Sequence, residues 1–231
     1  TGMKVFAISD LHLSFAVEKP MDIFGDGWQN HFARVSEDWR ARVEDEDLVL
    51  LGGDMSWGMN IEEAAPDYAA VAALPGKKAV VKGNHDLYWS SLAKMTSAFP
   101  GFGFVQNNCL KYGNYIIAGT RGWTPPSDGS DEHDGKIYRR ELLRLELSLS
   151  CAEKMRSADD TVIAVLHYPP FDAKYGDSEV TALIEKYGVK TVTYGHLHGK
   201  NARVTPEIVK NGVKYFLTSC DLTDNKLVRL F

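Results

Sequence analysis

A chain of 231 residues with 44% hydrophobic and 25% charged residues has the size and composition of one large globular domain, here expected to span 1–231. Its formal charge of −5 is spread over mixed acidic and basic residues, with no basic stripe to follow a nucleic-acid backbone, so nucleic acid is not an expected partner. No run approaches the ~20 apolar residues of a membrane span, and no signal-peptide pattern precedes the first strand-like segment, so a cytoplasmic protein is expected. Met3 reads as the natural start, with Thr1 and Gly2 an added remnant. Cys109, Cys151 and Cys220 are odd in number, far apart and free of CxxC spacing, which predicts buried free thiols.

In chain order, the first apolar β-branched run predicts a strand over 4–9, followed by the polar segment Asp10-Leu11-His12. Residues 14–27 have no regular period and form a loop, and a helix is expected over about 28–43. A strand over 47–51 leads into Gly52-Gly53-Asp54, a helix follows at 60–73, and a strand over 77–81 leads into Gly83-Asn84-His85-Asp86. After a helix at 90–98 and a strand at 115–119, Pro125-Pro126 and a Ser/Asp/Gly-rich stretch make 124–135 a second long loop. A helix over 137–156 carries Tyr138, Leu142, Leu145, Leu149, Ala152 and Met155 at three- and four-residue steps. Strands at 161–166 and 190–194 run into His167-Tyr168-Pro169-Pro170 and Gly195-His196-Leu197-His198, with a helix at 178–187 between them. Strands at 213–218 and 227–230 close the chain. Short apolar strands alternating with helical segments define an α/β protein.

Five predicted strands thus end in residues able to bind a metal. In open α/β sheets ligands gather outside the carboxyl ends of strands, so segments far apart in sequence should meet at one edge. The glycines before Asp54, Asn84 and His196 suit sharp turns off a strand. Carboxylate, imidazole and amide oxygen without thiolate suit Mn, Fe or Zn, with Ni possible and Mg less suited. Two such ions ~3.5–4 Å apart can activate water and stabilise an in-line displacement at phosphorus, and Asp54 is the candidate to share both.

The order DxH, GD, GNHD, H, GHxH resembles the signature of the calcineurin-like metallophosphoesterase family, and it spans residues 10 to 198. The resemblance implies a sandwich of two mixed β-sheets flanked by helices in α-β-β-α layers. It places Asp10, His12 and His198 on one metal, Asn84, His167 and His196 on the other, and Asp54 across both. It implies a hydroxide bridging the two ions as nucleophile, His85 as the group that protonates the leaving oxygen or stabilises the charged phosphoryl group, and Asp86 as the carboxylate orienting its ring. The GDxxDRG pattern of protein serine/threonine phosphatases is absent, and GNHD with GHxH is similar to the branch holding cyclic-nucleotide phosphodiesterases and uncharacterised bacterial proteins. Gly53-Asp54-Met55-Ser56-Trp57 resembles that bacterial group. The expected activity is hydrolysis of a small phosphomonoester or phosphodiester. A nucleotide-diphosphate hydrolase and a non-catalytic scaffold on the same fold stand as alternatives.

Five of the seven histidines occupy these motifs; His31 is read as structural and His133 as a solvent-exposed loop residue. Arg121, the basic residue of a strand-end turn, is a candidate for a phosphate oxygen, against a plain surface ion pair. Trp57 and Trp123 follow motif segments and are candidates for substrate contact, against ordinary core packing. The Arg139-Arg140-Glu141 cluster is read as a solvated helix face.

Overall fold

The computed structural model describes residues 2–231. Its strands are β1 Val5–Ile8, β2 Leu48–Leu51, β3 Lys77–Val81, β4 Gly103–Val105, β5 Leu110–Tyr112, β6 Tyr115–Thr120, β7 Thr161–Leu166, β8 Thr191–Tyr194, β9 Glu207–Lys210, β10 Val213–Leu217 and β11 Val228–Arg229. The helices are α1 His31–Arg42, α2 Ile61–Ala72, α3 Leu92–Ala98, α4 Glu132–Met155 and α5 Glu179–Lys186. One sheet has the order β11-β1-β2-β3-β4 and the other β5-β6-β7-β8-β10-β9. Both are mixed: the inner strands run parallel, while β11, β5 and β9 pair antiparallel at the margins. The structure is therefore the expected α/β sandwich of two mixed sheets flanked by helices.

Alternation along the strands assigns the layers. Val5 and Ala7 of β1, Leu48 and Leu50 of β2, and Ile163 and Val165 of β7 face the other sheet and form the inter-sheet core. Their neighbours Phe6, Ile8, Val49 and Leu51 pack outward with Val35, Trp39, Tyr68 and Val71 of α1 and α2. Ala164 and Leu166 pack with Leu145, Leu149 and Ile184 of α4 and α5. Strands buried on both faces read as continuous apolar runs, which is why they were legible in the sequence.

Three strands escaped prediction. β4, β5 and β9 hold three, three and four residues, and β5 and β9 lie at a sheet edge with no residue fully buried, too short and too wet for a periodic signal. The helix expected from 137 begins at Glu132: Asp131 accepts a hydrogen bond from the Asp134 amide at 2.7 Å, and Glu132 and Asp134 lie in the first turn, where negative charge is favourable. His133 is consequently an exposed helix residue and not part of a loop. The free-thiol expectation also fails for two cysteines, because Cys109 and Cys151 are joined by a disulfide linking the segment before β5 to α4; Cys220 alone is a buried free thiol. Spacing could not reveal that pair, since two cysteines 42 positions apart meet only when α4 packs on its sheet.

Leu50 is fully buried between the sheets, so Leu50→Ala should cost about 2–5 kcal/mol of stability. Equilibrium urea unfolding measures this, and an unchanged midpoint would contradict the packing described.

Candidate metal centre

The loops after β1, β2, β3, β7 and β8 meet at the carboxyl edge shared by both sheets. There, one ligand atom each from Asp10, His12, Asp54 and His198 lie within 4.8 Å of one another, as do atoms from Asp54, His167 and His196. Asp54 belongs to both groups through a single oxygen: its Oδ2 is 3.5 Å from His12 Nε2 and 3.3 Å from His167 Nε2. Asp10 Oδ1 is 3.1 Å from His198 Nε2 and 3.8 Å from His12 Nε2. Asn84 Oδ1 closes the far side, 2.8 Å from His167 Nε2 and 3.2 Å from His196 Nδ1. All seven residues read from the sequence are thus in one cluster.

Such closeness requires unusual backbone. Asp10, His12, Asp54 and His196 have φ of 60°, 44°, 52° and 69°, the left-handed region that non-glycine residues rarely enter. Four strained residues in one cluster show a scaffold that over-determines side-chain direction. Gly195 and Gly83 are required by contact: a Cβ on the first would collide with the Asp10 carboxylate, and on the second with that of Asp54.

Bonds behind the ligands fix their orientation. His167 Nδ1 lies 2.8 Å from the Gly52 carbonyl, which leaves Nε2 as the inward atom. His198 Nδ1 lies 2.9 Å from Asp221 Oδ1, while Asp221 Oδ2 accepts from the Gly199 amide at 3.0 Å. Asp10 Oδ2 accepts from the Ser9 hydroxyl and, at 3.1 Å, from the His196 amide. Asp10 Oδ1 and His12 Nδ1, by contrast, are buried without a hydrogen-bond partner among the described residues.

Charge is strongly coupled here. Burial would raise the Asp10 and Asp54 carboxyls, but the neighbouring imidazoles, His167 foremost, hold both below the usual carboxylate range. Burial opposes protonation of His167 and His198, yet Asp54 and Asp10 raise the first to about 9, and Asp10 and Asp221 raise the second to about 10. Burial brings His12 and His196 down to about 4. Two carboxylates thus draw protons onto two imidazoles in a cluster of the same donors that bind divalent cations. Carboxylate, amide and imidazole donors converging on a shared oxygen fit metal ions.

His85 stands on the wall of a cavity of about 350 Å³ lined also by His12, Asp54, His196, His198, Met21, Phe24, Trp28 and Trp57. Its amide donates to Asp54 Oδ1 at 2.9 Å, and its ring lies 4.6 Å from that of Trp57, which itself stacks on His12 at 4.9 Å. Trp57 is therefore in the site. The loop 14–27 contributes Met21 and Phe24 to the wall, held by Asp67 of α2, which accepts from the Phe15 amide at 2.9 Å and from Ser56. The loop after β6 contributes nothing to that cavity: Trp123 packs on Tyr168 at 4.9 Å and its indole donates to Asp134 at 3.2 Å. His31 contacts backbone carbonyls of Trp28 and Leu11, a structural role.

Two expectations need correction. Asp86 does not orient the His85 ring. Its Oδ2 accepts from the Asp54 and Gly83 amides at 2.8 and 2.7 Å, and its Oδ1 accepts from the Met55 amide and Tyr88 hydroxyl at 2.9 and 2.8 Å, so its lone pairs are committed to holding two turns together. Burial, followed by the charge of Asp54, raises it to about 6. Glu141 is not on a solvated face either; it is 2% exposed and accepts from Thr120 Oγ1, the Gly122 amide and Arg144. Its spacing three and four residues from Tyr138 and Leu145 puts it on the buried stripe, a signal available in the sequence. Asp221, also missed, could have been found by extending the strand-end rule to β10.

An α-β-β-α sandwich carrying an Asp, His and Asn cluster at its strand edge places the protein among metal-dependent phosphoesterases. More particularly, the sequence matches the family model described as calcineurin-like phosphoesterase over residues 3–200, and the chain belongs to that family. No curated protein matches it. Among solved structures, the protein of unknown function AQ665 from Aquifex aeolicus is similar in fold, with a TM-score of 0.54 at 14% identity, covering 99% of this chain and 96% of that one. No helix among the described residues is long and apolar enough to cross a membrane.

Two measurements check the supporting bonds. Asp86→Ala should destabilise the protein by several kcal/mol even without metal, since it strands buried amides worth about 1–3 kcal/mol each, whereas His85→Ala should not. Asp221→Ala should weaken metal affinity about 10–100-fold with the fold retained, read by competition with a chromophoric chelator.

Proposed function

We propose that the protein is a dinuclear metal-dependent phosphohydrolase acting on a small phosphomonoester or phosphodiester. The observation that carries this is Asp54 Oδ2, one carboxylate oxygen common to two ligand groups. Asp10, His12, His198 and Asp54 would hold one ion, and Asn84, His167, His196 and Asp54 the other. Mn, Fe and Zn fit this donor set best, with Ni a further candidate and Mg less favoured for want of oxygen ligands. Bound there, two divalent cations supply Lewis-acid polarisation of a phosphoryl oxygen and lower the pKa of water.

The chain's own groups do the rest. Gly52 and Asp221 fix which imidazole nitrogens of His167 and His198 face inward, so the phosphate meets a preset cluster. His85, held against Trp57 beside the cluster, donates a proton to the departing oxygen. Because His85 lines the cavity, the leaving group occupies it, and Met21, Phe24, Trp28 and Trp57 favour an apolar or aromatic leaving group and exclude water. Asp86 acts through position alone, keeping the Asp54 and Asn84 turns in register.

The test is turnover by chelator-stripped protein resupplied with Mn, Fe(II), Zn, Ni or Mg, on p-nitrophenyl phosphate and bis-p-nitrophenyl phosphate. A transition ion should restore hydrolysis, and the preferred ester identifies monoesterase or diesterase. Asp54→Ala should lose both metals and activity. His85→Ala should keep the metals and slow turnover by about 10²–10⁴-fold, most for alkyl leaving groups that need protonation. Metal loss in His85→Ala would exclude the proton-donor role, and silence on both esters with two ions bound would exclude simple esters as substrates.

A further inference from the structure

The 14–27 loop is fixed at both ends and loosely held between them. At its start the Leu13 amide donates to the Met55 carbonyl and the Phe15 amide to Asp67, both at 2.9 Å. At its end the Gly27 carbonyl accepts from Asn225 at 3.0 Å, and the buried Trp28 ring meets His31 edge-on at 5.1 Å. Between these anchors, every hydrogen bond of residues 16–26 among the described residues stays within 14–29, such as Ser14 Oγ to the Lys19 carbonyl and the Phe24 amide to that of Met21. The segment otherwise touches the body through Met21, packed on the outer core, through Lys19 over the Trp57 ring at 5.6 Å, and through an exposed ion pair of Asp26 with Lys200 at 3.6 Å. Exposed pairs contribute little, and a stretch with local hydrogen bonds and few buried contacts opens at low free energy. Gly25 supplies a pivot, with φ 128° and ψ 173°, a conformation open to glycine alone.

The same segment carries apolar surface that this arrangement leaves in water. Phe24 lines the His85 cavity and is nevertheless 66% exposed, and Ile23 beside it is 72% exposed. Met59 and Leu87, each two residues beyond the cavity residues Trp57 and His85, are exposed as well. With Phe15, these make five of the ten large apolar side chains exposed among the described residues, all on the three segments that wall the cavity. Apolar side chains scattered singly over a surface are ordinary, whereas a gathering around one cavity marks a surface that something covers.

We propose that residues 16–26 are a lid that pivots at Gly25 and closes the cavity over the substrate's leaving group, and that Phe24 is the residue that selects that group. This rests on the phosphohydrolase reading, which sets the leaving group beside His85, and adds the device that discriminates among leaving groups. The short 3-10 turn Asp22–Phe24 moves as a unit, so closure lays Phe24 on the group held against Trp57 and takes Phe24 out of water. A cavity of about 350 Å³ has room for one ring with its linker. A ring completes the apolar interface and draws the lid shut, whereas a methyl group leaves Phe24 wet and the lid open.

The test is hydrogen exchange read by mass spectrometry on the whole chain loaded with Mn, with benzylphosphonate and methylphosphonate as unreactive ligands whose affinities are measured by calorimetry. Benzylphosphonate should bind at least about tenfold more tightly than methylphosphonate. At saturation it should slow exchange in 16–26 at least about fivefold, and methylphosphonate should not. Phe24→Ser should bring the affinity ratio towards one and remove the protection. Leu143→Ser, which takes an equally exposed apolar side chain from α4, should change neither. Benzylphosphonate bound without protection of 16–26, equal protection by the two ligands, or a ratio untouched by Phe24→Ser would overturn the lid. These readouts are binding and exchange, so they stand apart from turnover. Hydrolysis with no benzyl-specific protection sinks the lid alone, benzyl-specific protection without hydrolysis of any ester sinks the hydrolase reading alone, and binding of neither phosphonate sinks both.

Discussion

The Asp86 carboxylate holds together the two turns that bring the ligands to one place. Four hydrogen bonds reach it at 2.7–2.9 Å, three from backbone amides of the β2 and β3 turns and one from Tyr88. Charge-assisted bonds of this kind are about twice as strong as neutral ones, and here they join segments more than thirty residues apart. With that join made, Gly83 approaches Asp54 closely enough that no side chain fits between them, and the Asp54 carboxylate receives the His85 amide. Asp54, the neighbouring Asn84 and His85 are thus positioned by one buried anion.

The second organising feature is stored strain. Four residues of the cluster occupy left-handed backbone conformations, which a loose loop would relax. They persist because each turn leaves a strand in the middle of a sheet: Asp10 and Asp54 follow β1 and β2, and His196 follows β8. The sandwich core between the sheets therefore supports the cluster directly, since β1, β2, β3 and β7, whose apolar faces it buries, lead into five of its seven residues.

Around the cluster the two sides differ in kind. The His85 side is walled by Trp28, Trp57, Phe24 and Met21, apolar and partly provided by the 14–27 loop. Behind the His167 loop, the Arg121 guanidinium lies 3.7 Å from Glu141, a carboxylate that also accepts from the Gly122 amide and Arg144.

Residue type and spacing in the sequence determined the α/β class and the seven clustered donor residues, because buried parallel strands are continuous apolar runs and because functional residues follow strand ends in α/β sheets, while the two-sheet layering came from the resemblance to the family. They did not determine the role of Asp86, the burial of Glu141, the pairing of Cys109 with Cys151 or the participation of Asp221. Each of those depends on which atoms a fold brings within 3 Å across tens of residues: Asp86 reaches amides 31 and 32 positions away, and Asp221 meets His198 across 23. Local pattern records what a residue is and which face it occupies. The partner that uses up a carboxylate's lone pairs, or leaves a guanidinium without an acceptor, is set only when distant turns pack, and that was decided by the tertiary structure.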